Sequence, residues 1–146
     1  MKIRTIKNLC LSILLLTVFC IPSFATWSII VIDPKTKEIG IAGASCTASV
    51  YGIGLIVPGK GAIVVQAMSN SLARMQGFNM IMDGATPAVI LEKIRHPDYD
   101  PEQQQYAILC MNDINHPATY TGTKTISHAG TLTANGISVQ GNTLTN

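Results

Sequence analysis

The chain has 146 residues, and its ten lysines and arginines exceed its eight acids by only two. Without a cationic cluster, and with aromatic residues at 5% of the chain, it offers neither a basic nucleic-acid surface nor an aromatic stacking platform. The length bounds it to one modest domain.

In chain order, residues 1–25 read as a cleavable leader. Lys2, Arg4 and Lys7 make a cationic start, and Leu9 to Ile21 (LCLSILLLTVFCI) is almost wholly apolar. That run is too short for a membrane-spanning helix, which needs about 20 residues, but it suits a secretory signal. Pro22 breaks the helix, and Ser23-Phe24-Ala25 sets small residues at the two positions that a signal peptidase reads. Cleavage leaves Thr26 first, in a periplasmic or secreted protein with no membrane attachment. Three of the ten cations leave with the leader, so seven remain against eight acids, a formal charge of −1. Cys10 and Cys20 leave too; Cys46 and Cys110 remain, either as a disulfide or as buried thiols ending apolar runs.

Trp27 to Asp33 (WSIIVID) reads as a strand, Pro34 to Glu38 as a turn, and Ile39 to Cys46 (IGIAGASC) as its hairpin partner. The small residues of that second strand predict close approach of another layer. Thr47 to Gly61 reads as an irregular crossing with an extended piece at Leu55 to Val57, followed by a strand from Ala62 to Met68. Ser69 or Asn70 caps a helix running to about Met82, ended by Asp83-Gly84. Thr86-Pro87 opens a second helix, with Val89, Ile90 and Ile94 at helical spacing, and His96-Pro97 ends it. Asp98 to Glu102 is an acidic loop, Gln105 to Met111 a strand and Ala118 to Thr121 another. A last strand lies around Ile137 to Val139 in a Thr-, Ser-, Gly- and Asn-rich tail. This order predicts an α+β fold with helices on one face of an antiparallel sheet.

Three features bear on chemistry. An N-terminal threonine carries its own base, since its α-amine titrates near 7.7–8.0 and lies beside the hydroxyl-bearing carbon; Thr26 therefore serves either as a nucleophile or merely as a residue suited to the cleavage site. Gly54 to Gly61 (GLIVPGKG) nearly spells a phosphate-binding loop, but Gly61 stands where Ser or Thr would bind magnesium and a strand follows instead of a helix. His96, His116 and His128 with Asp98 and Asp113 lack metal-site spacing, so neither metal nor cofactor is expected. Gln140-Gly141-Asn142 supplies either amide donors for an oxyanion or a plain turn.

Three stretches occur in order: TWSIIVIDPKTKEIGIAGAS (Thr26 to Ser45), IGLIVPGKGAIVVQAMSN (Ile53 to Asn70) and YTGTKTISHAG…ISVQGNTL (Tyr120 to Leu144). Together they resemble the bacterial domain-of-unknown-function family numbered 1028, grouped with the N-terminal-nucleophile (Ntn) hydrolases. The resemblance implies a single domain over 26–146, an Ntn-like αββα sandwich whose first strand starts at Thr26, shorter at its C-terminus than family members usually are. Gln66 and Asn70 fall on the family's Gln-Ala-x-x-Asn stretch, and Gln140, Gly141 and Asn142 on its Gln-Gly-Asn stretch. On this basis Asn70 or Asn142 would stabilise an oxyanion and Ser45 would orient the Thr26 amine. Gln66, Gln140 and Gly141 would bind substrate. The chain departs from the family at Ala129-Gly130-Thr131, where a histidine is usual after Ala-Gly, and at Gly59, where an aromatic is common.

Two functions are therefore expected in competition. One is an exported amidohydrolase acting on a small-molecule or peptide amide through Thr26. The other is an exported binding module that keeps the fold without the chemistry. A homo-oligomer would cover the sheet edges that a shortened sandwich leaves open.

Overall fold

A computed structural model describes residues 25–126 and 128–144 of the chain; the leader up to Phe24 lies outside them. Strand alternation organises the first sheet. In β1 (Thr26–Ile32) Ser28, Ile30 and Ile32 are buried while Trp27 and Val31 are exposed, the period of two that sends successive side chains to opposite faces of a sheet. A polar turn, in which Asp33 Oδ1 accepts the Lys35 N–H at 2.8 Å, returns the chain as β2 (Ile39–Ser45), antiparallel to β1. On its other side β1 pairs with β8 (Ile137–Asn142), and β8 with β7 (Gly130–Ala134). The result is a four-stranded antiparallel sheet in the order β2-β1-β8-β7.

A second antiparallel sheet has the order β3-β4-β5-β6, from β3 (Gly54–Val57), β4 (Gly61–Ala67), β5 (Gln104–Cys110) and β6 (Ala118–Thr121). The phosphate-loop-like segment is therefore a strand, a turn and a strand. Its Lys60 ammonium donates to the Met82 carbonyl. Gly61 must be glycine, because a Cβ there would lie 2.5 Å from the Leu109 carbonyl oxygen of the neighbouring strand.

Two α-helices connect β4 to β5. Asn70 caps α1 (Ser71–Met82) by accepting the Ala73 N–H on its side-chain oxygen at 3.0 Å. Ala73, Gly77 and Ile81 are its buried residues, a stripe at i, i+4, i+8. Pro87 starts α2 (Pro87–Ile94) at the position where the missing N–H costs nothing, and Ile90 and Ile94 are buried. Both helices cover the outer face of the second sheet, packing Ile81, Ile90 and Ile94 on Val65, Tyr106 and Ile108. Each such fully buried aliphatic side chain contributes about 1.5–3 kcal/mol.

The two sheets stack face to face. Ile30 and Ile32 of the first meet Ala62, Val64, Ala107 and Leu109 of the second. All seven residues of β5 are buried, because β5 is central in its sheet and covered on both faces. The outer face of the first sheet is different: Trp27 is 44% exposed and Leu132 77%, and no helix among the described residues lies on it.

The expected α+β arrangement with antiparallel sheets is thus present; most boundaries fall within about two residues, and the last strand runs on to Asn142 instead of ending near Val139. One strand was not expected: β7 reads Gly-Thr-Leu-Thr-Ala, a weak pattern that takes strand form through pairing with β8. The acidic loop contains two single-turn 3-10 helices, Pro97–Tyr99 and Pro101–Gln103, joined by Asp100 at φ 50°. Cys46 and Cys110 are free thiols, and the expected burial holds for one of them only. Cys46 is exposed and Cys110 buried at the end of β5.

Candidate functional site

The layer between the sheets is apolar at one end and polar at the other. Along the inward face of the first sheet, Ile41, Ile30 and Ser138 share one row of paired residues and Gly43, Ser28 and Gln140 the next. Ser45, Thr26 and Asn142 form the terminal row. Opposite them, Gln66 pairs with Gln105, and Gln105 with Thr121.

Thr26 starts β1, and its hydroxyl Oγ1 lies 2.7 Å from Ser45 Oγ. Ser45 thus meets the threonine hydroxyl, and it also accepts the Thr47 N–H at 3.4 Å. On the other flank Asn142, almost fully buried, donates from Nδ2 to Gln105 Oε1 at 3.2 Å and accepts from Thr143 Oγ1 at 3.2 Å. The register places Thr26 between a hydroxyl and an amide, partly open to solvent at the sheet's end.

Beneath that row runs a continuous buried hydrogen-bond chain. The Ser138 hydroxyl donates to Gln140 Oε1 at 3.1 Å, and Gln140 Nε2 donates to Ser28 Oγ at 2.5 Å. Ser28 donates to Gln66 Oε1 at 2.6 Å, and Gln66 Nε2 to Gln105 Oε1 at 2.7 Å. Gln105 Nε2 then donates to Thr121 Oγ1 at 3.0 Å and to the carbonyls of Gly130 and Gly141, both at 3.1 Å. Gln105 and Ser28 are wholly buried, and Gln66 and Gln140 are 1% exposed. Every member is neutral, which avoids the larger cost of burying charge, and each partner is satisfied, as a buried polar group requires.

The residues expected to act together are therefore divided by the fold. Thr26, Ser45 and Asn142 come together. Gln66 and Gln140 lie directly below, with their amides committed to the inter-sheet chain and out of solvent reach. Gly141 sits in β8 with its Cα facing the other way, where a Cβ would meet Leu144 Cδ1 at 2.9 Å. Asn70 is placed on the helix: its Oδ1 caps α1, its Nδ2 donates to the Tyr99 carbonyl at 3.0 Å, and its own N–H goes to Gln104 Oε1 at 2.9 Å. The segment joining Gln66 to Asn70 holds two residues in the left-handed region, Ala67 at φ 70° and Ser69 at φ 53°. Arg74 braces this bend, donating from Nη1 to Ser69 Oγ at 3.0 Å, and partial burial holds its pKa below the usual value.

Three members of the polar layer were not singled out from the sequence: Ser28, Gln105 and Ser138. Their only signal is a polar residue on the inward phase of an otherwise apolar strand, as in the Gln105 of Gln-Gln-Tyr-Ala-Ile-Leu-Cys.

The histidine–aspartate pairs are local surface contacts: His96 Nδ1 lies 3.1 Å from Asp98 and His116 Nδ1 2.6 Å from Asp113. Among the described residues no three His, Cys, Asp or Glu side chains converge on a point that could hold a metal ion.

Comparison with solved structures gives a match to the crystal structure of protein SPO2555 from Silicibacter pomeroyi, itself described by the DUF1028 family model. The TM-score is 0.76 at 22% identity, which is a likeness of fold. The match covers 84% of this chain and 54% of that one, so this chain spans about half the length of its structural neighbour. No protein of curated function matches the chain. The model of a family of unknown function, DUF1028, matches residues 26–146, and the chain belongs to that family.

Proposed function

We propose that the protein is an exported Ntn-type amidohydrolase whose nucleophile is Thr26, exposed as the first residue when the Ala25–Thr26 bond is cut. The observation that carries this reading is the terminal row: Thr26 Oγ1 at 2.7 Å from Ser45 Oγ, with Asn142 as the paired residue on the other side. Among the described residues no ionisable side chain belongs to the polar layer beneath Thr26, so the base has to come from the threonine's own α-amine. The amine takes the Oγ1 proton as Oγ1 attacks the carbonyl carbon of the amide. Ser45 holds the hydroxyl in place, and the Asn142 amide donates to the oxyanion that develops. The protonated amine passes its proton to the leaving nitrogen, and the resulting ester on Thr26 is hydrolysed by water with the amine again as base. Gln66, Gln140 and Gln105 act by fixing β8 and its Asn142.

An amine of ordinary pKa, about 7.7–8.0, makes hydrolysis rise with pH through that range, because only the neutral amine accepts the proton. The test compares wild type with Thr26→Ala, both with termini verified by mass, for covalent capture of a β-lactone. A single adduct on Thr26 in the wild type and none in the variant is the expected result. Equal labelling of the two, or a recovered terminus at Trp27 or Ser28, sinks the reading. It would leave the non-catalytic binding module, which is favoured by the absence of any side-chain base in the polar layer among the described residues.

A further inference from the structure

Ser45 faces two ways. Its hydroxyl touches Thr26, and the residue also lines a cavity of about 820 Å³ between β2, the segment 47–53 and β3. This volume lies within the range of small-molecule sites, about 300–1,000 Å³. β2 and β3 are the edge strands of their sheets, so the cavity is the open side of the sandwich with a loop across it. Two glycines shape it. A Cβ at Gly43 would meet Ile53 Cδ1 at 3.2 Å, and one at Gly54 would meet Ile41 Cδ1 at 2.9 Å. Isoleucines thus face the places where the edge strands lack side chains, and the hydroxyls of Ser45, Thr47 and Ser49 supply polarity without charge.

All fifteen lining residues are uncharged. A carboxylate or ammonium entering this cleft would lose hydration and gain no counter-ion, whereas a hydrocarbon chain would lose nothing. We infer that the cleft binds the uncharged aliphatic acyl portion of an amide, with the carbonyl end toward Ser45 and Thr26. The amide identity rests on the reading of Thr26 above; the preference for a neutral aliphatic group rests on the lining alone.

The test is a backbone NMR titration of the purified protein with two probes of equal length: hexanamide, and the monoamide of adipic acid, which ends in a carboxylate. Hexanamide should shift resonances within 41–56 and bind at least about ten-fold more tightly than its charged counterpart. Val50→Lys, a change at a half-buried lining residue of the loop that leaves the backbone bond from Ile53 intact, should abolish or reverse that preference with spectral dispersion unchanged. Equal affinities, shifts mapping away from 41–56, or no binding of hexanamide at its solubility limit would overturn the inference. Binding in the cleft without turnover by the wild type would leave it standing while counting against the nucleophile.

Discussion

Replacing Gln105 by leucine removes the side chain with the most hydrogen bonds between the two sheets at the polar end of the layer. In the native protein Gln105 Oε1 accepts from Gln66 at 2.7 Å and from Asn142 at 3.2 Å, and its Nε2 donates to Thr121, Gly130 and Gly141. Leucine has a similar volume, so little cavity forms, and the loss is in the hydrogen bonds. The Thr121 and Gly130 groups lie near solvent and rehydrate. The N–H groups of Gln66 and Asn142 and the carbonyl of Gly141 are buried and do not. At about 1–3 kcal/mol for each buried orphan, and with some return from the apolar side chain, the variant should lose about 3–6 kcal/mol. That is a large share of a total stability of about 5–15 kcal/mol. Tyr106 provides the internal control one residue along β5. It is equally inaccessible, but its hydroxyl has no partner, and that burial pushes its pKa well up. Tyr106→Phe should leave stability unchanged or raise it by about 1 kcal/mol. Urea unfolding of the three proteins measures both effects, with an unchanged slope showing that the same surface unfolds. A loss below about 1 kcal/mol in Gln105→Leu would refute the reasoning, since it would mean that the network's members find other partners at no cost.

Asn70→Ala should cost about 1 kcal/mol through loss of the α1 cap. It should not abolish Thr26 labelling by a β-lactone, because Asn70 sits at the start of α1 with its amide on Ala73 and Tyr99, whereas Asn142 is the residue paired with Thr26. A loss of labelling with stability intact would return Asn70 to the chemistry. In the leaderless protein, thiol titration at pH 8 should count one reactive cysteine in the native state and two after denaturation. Cys46 is exposed, whereas burial pushes the Cys110 thiol up to about 12. Two fast thiols in the native protein would contradict the placement of β5. Glu102 accepts bonds from the Thr123 hydroxyl at 2.6 Å, from the Tyr120 hydroxyl at 2.5 Å and from the Thr123 N–H at 2.9 Å, which hold its carboxyl at about 2 against an ordinary 4.5. A folded-state pKa below the unfolded one stabilises at pH above 4.5, and that stabilisation fades as pH falls toward 2. Glu102→Gln should therefore flatten the acid limb of the stability curve between those values, as read by thermal unfolding. An unchanged acid limb would show that another group governs it.

Periodicity and end signals alone placed most elements. The β-branched run in WSIIVID, the cap at Asn70, the proline at Pro87 and the stop at His96-Pro97 all act within a few residues, so they are legible locally. β7 was not, because Gly130–Ala134 has no strong strand pattern and takes its form from β8, which the sequence does not reveal as its neighbour. The site divides in the same way. Thr26 is singled out by the small-residue signature before it, Gln140 and Asn142 by amides either side of a glycine at a strand end, and Gln66 by the family resemblance alone. That Ser45 and Asn142 flank Thr26 depends on antiparallel register, a property of pairing between segments 19 and 116 residues apart. Gln105 and Ser28 became visible only when stacking of the sheets turned isolated polar residues into one satisfied chain. Asn70, with the same amide as Asn142, was drawn away to a helix cap. A side chain's type decides which bonds it can make, and only the packing of distant strands decides which ones it does make.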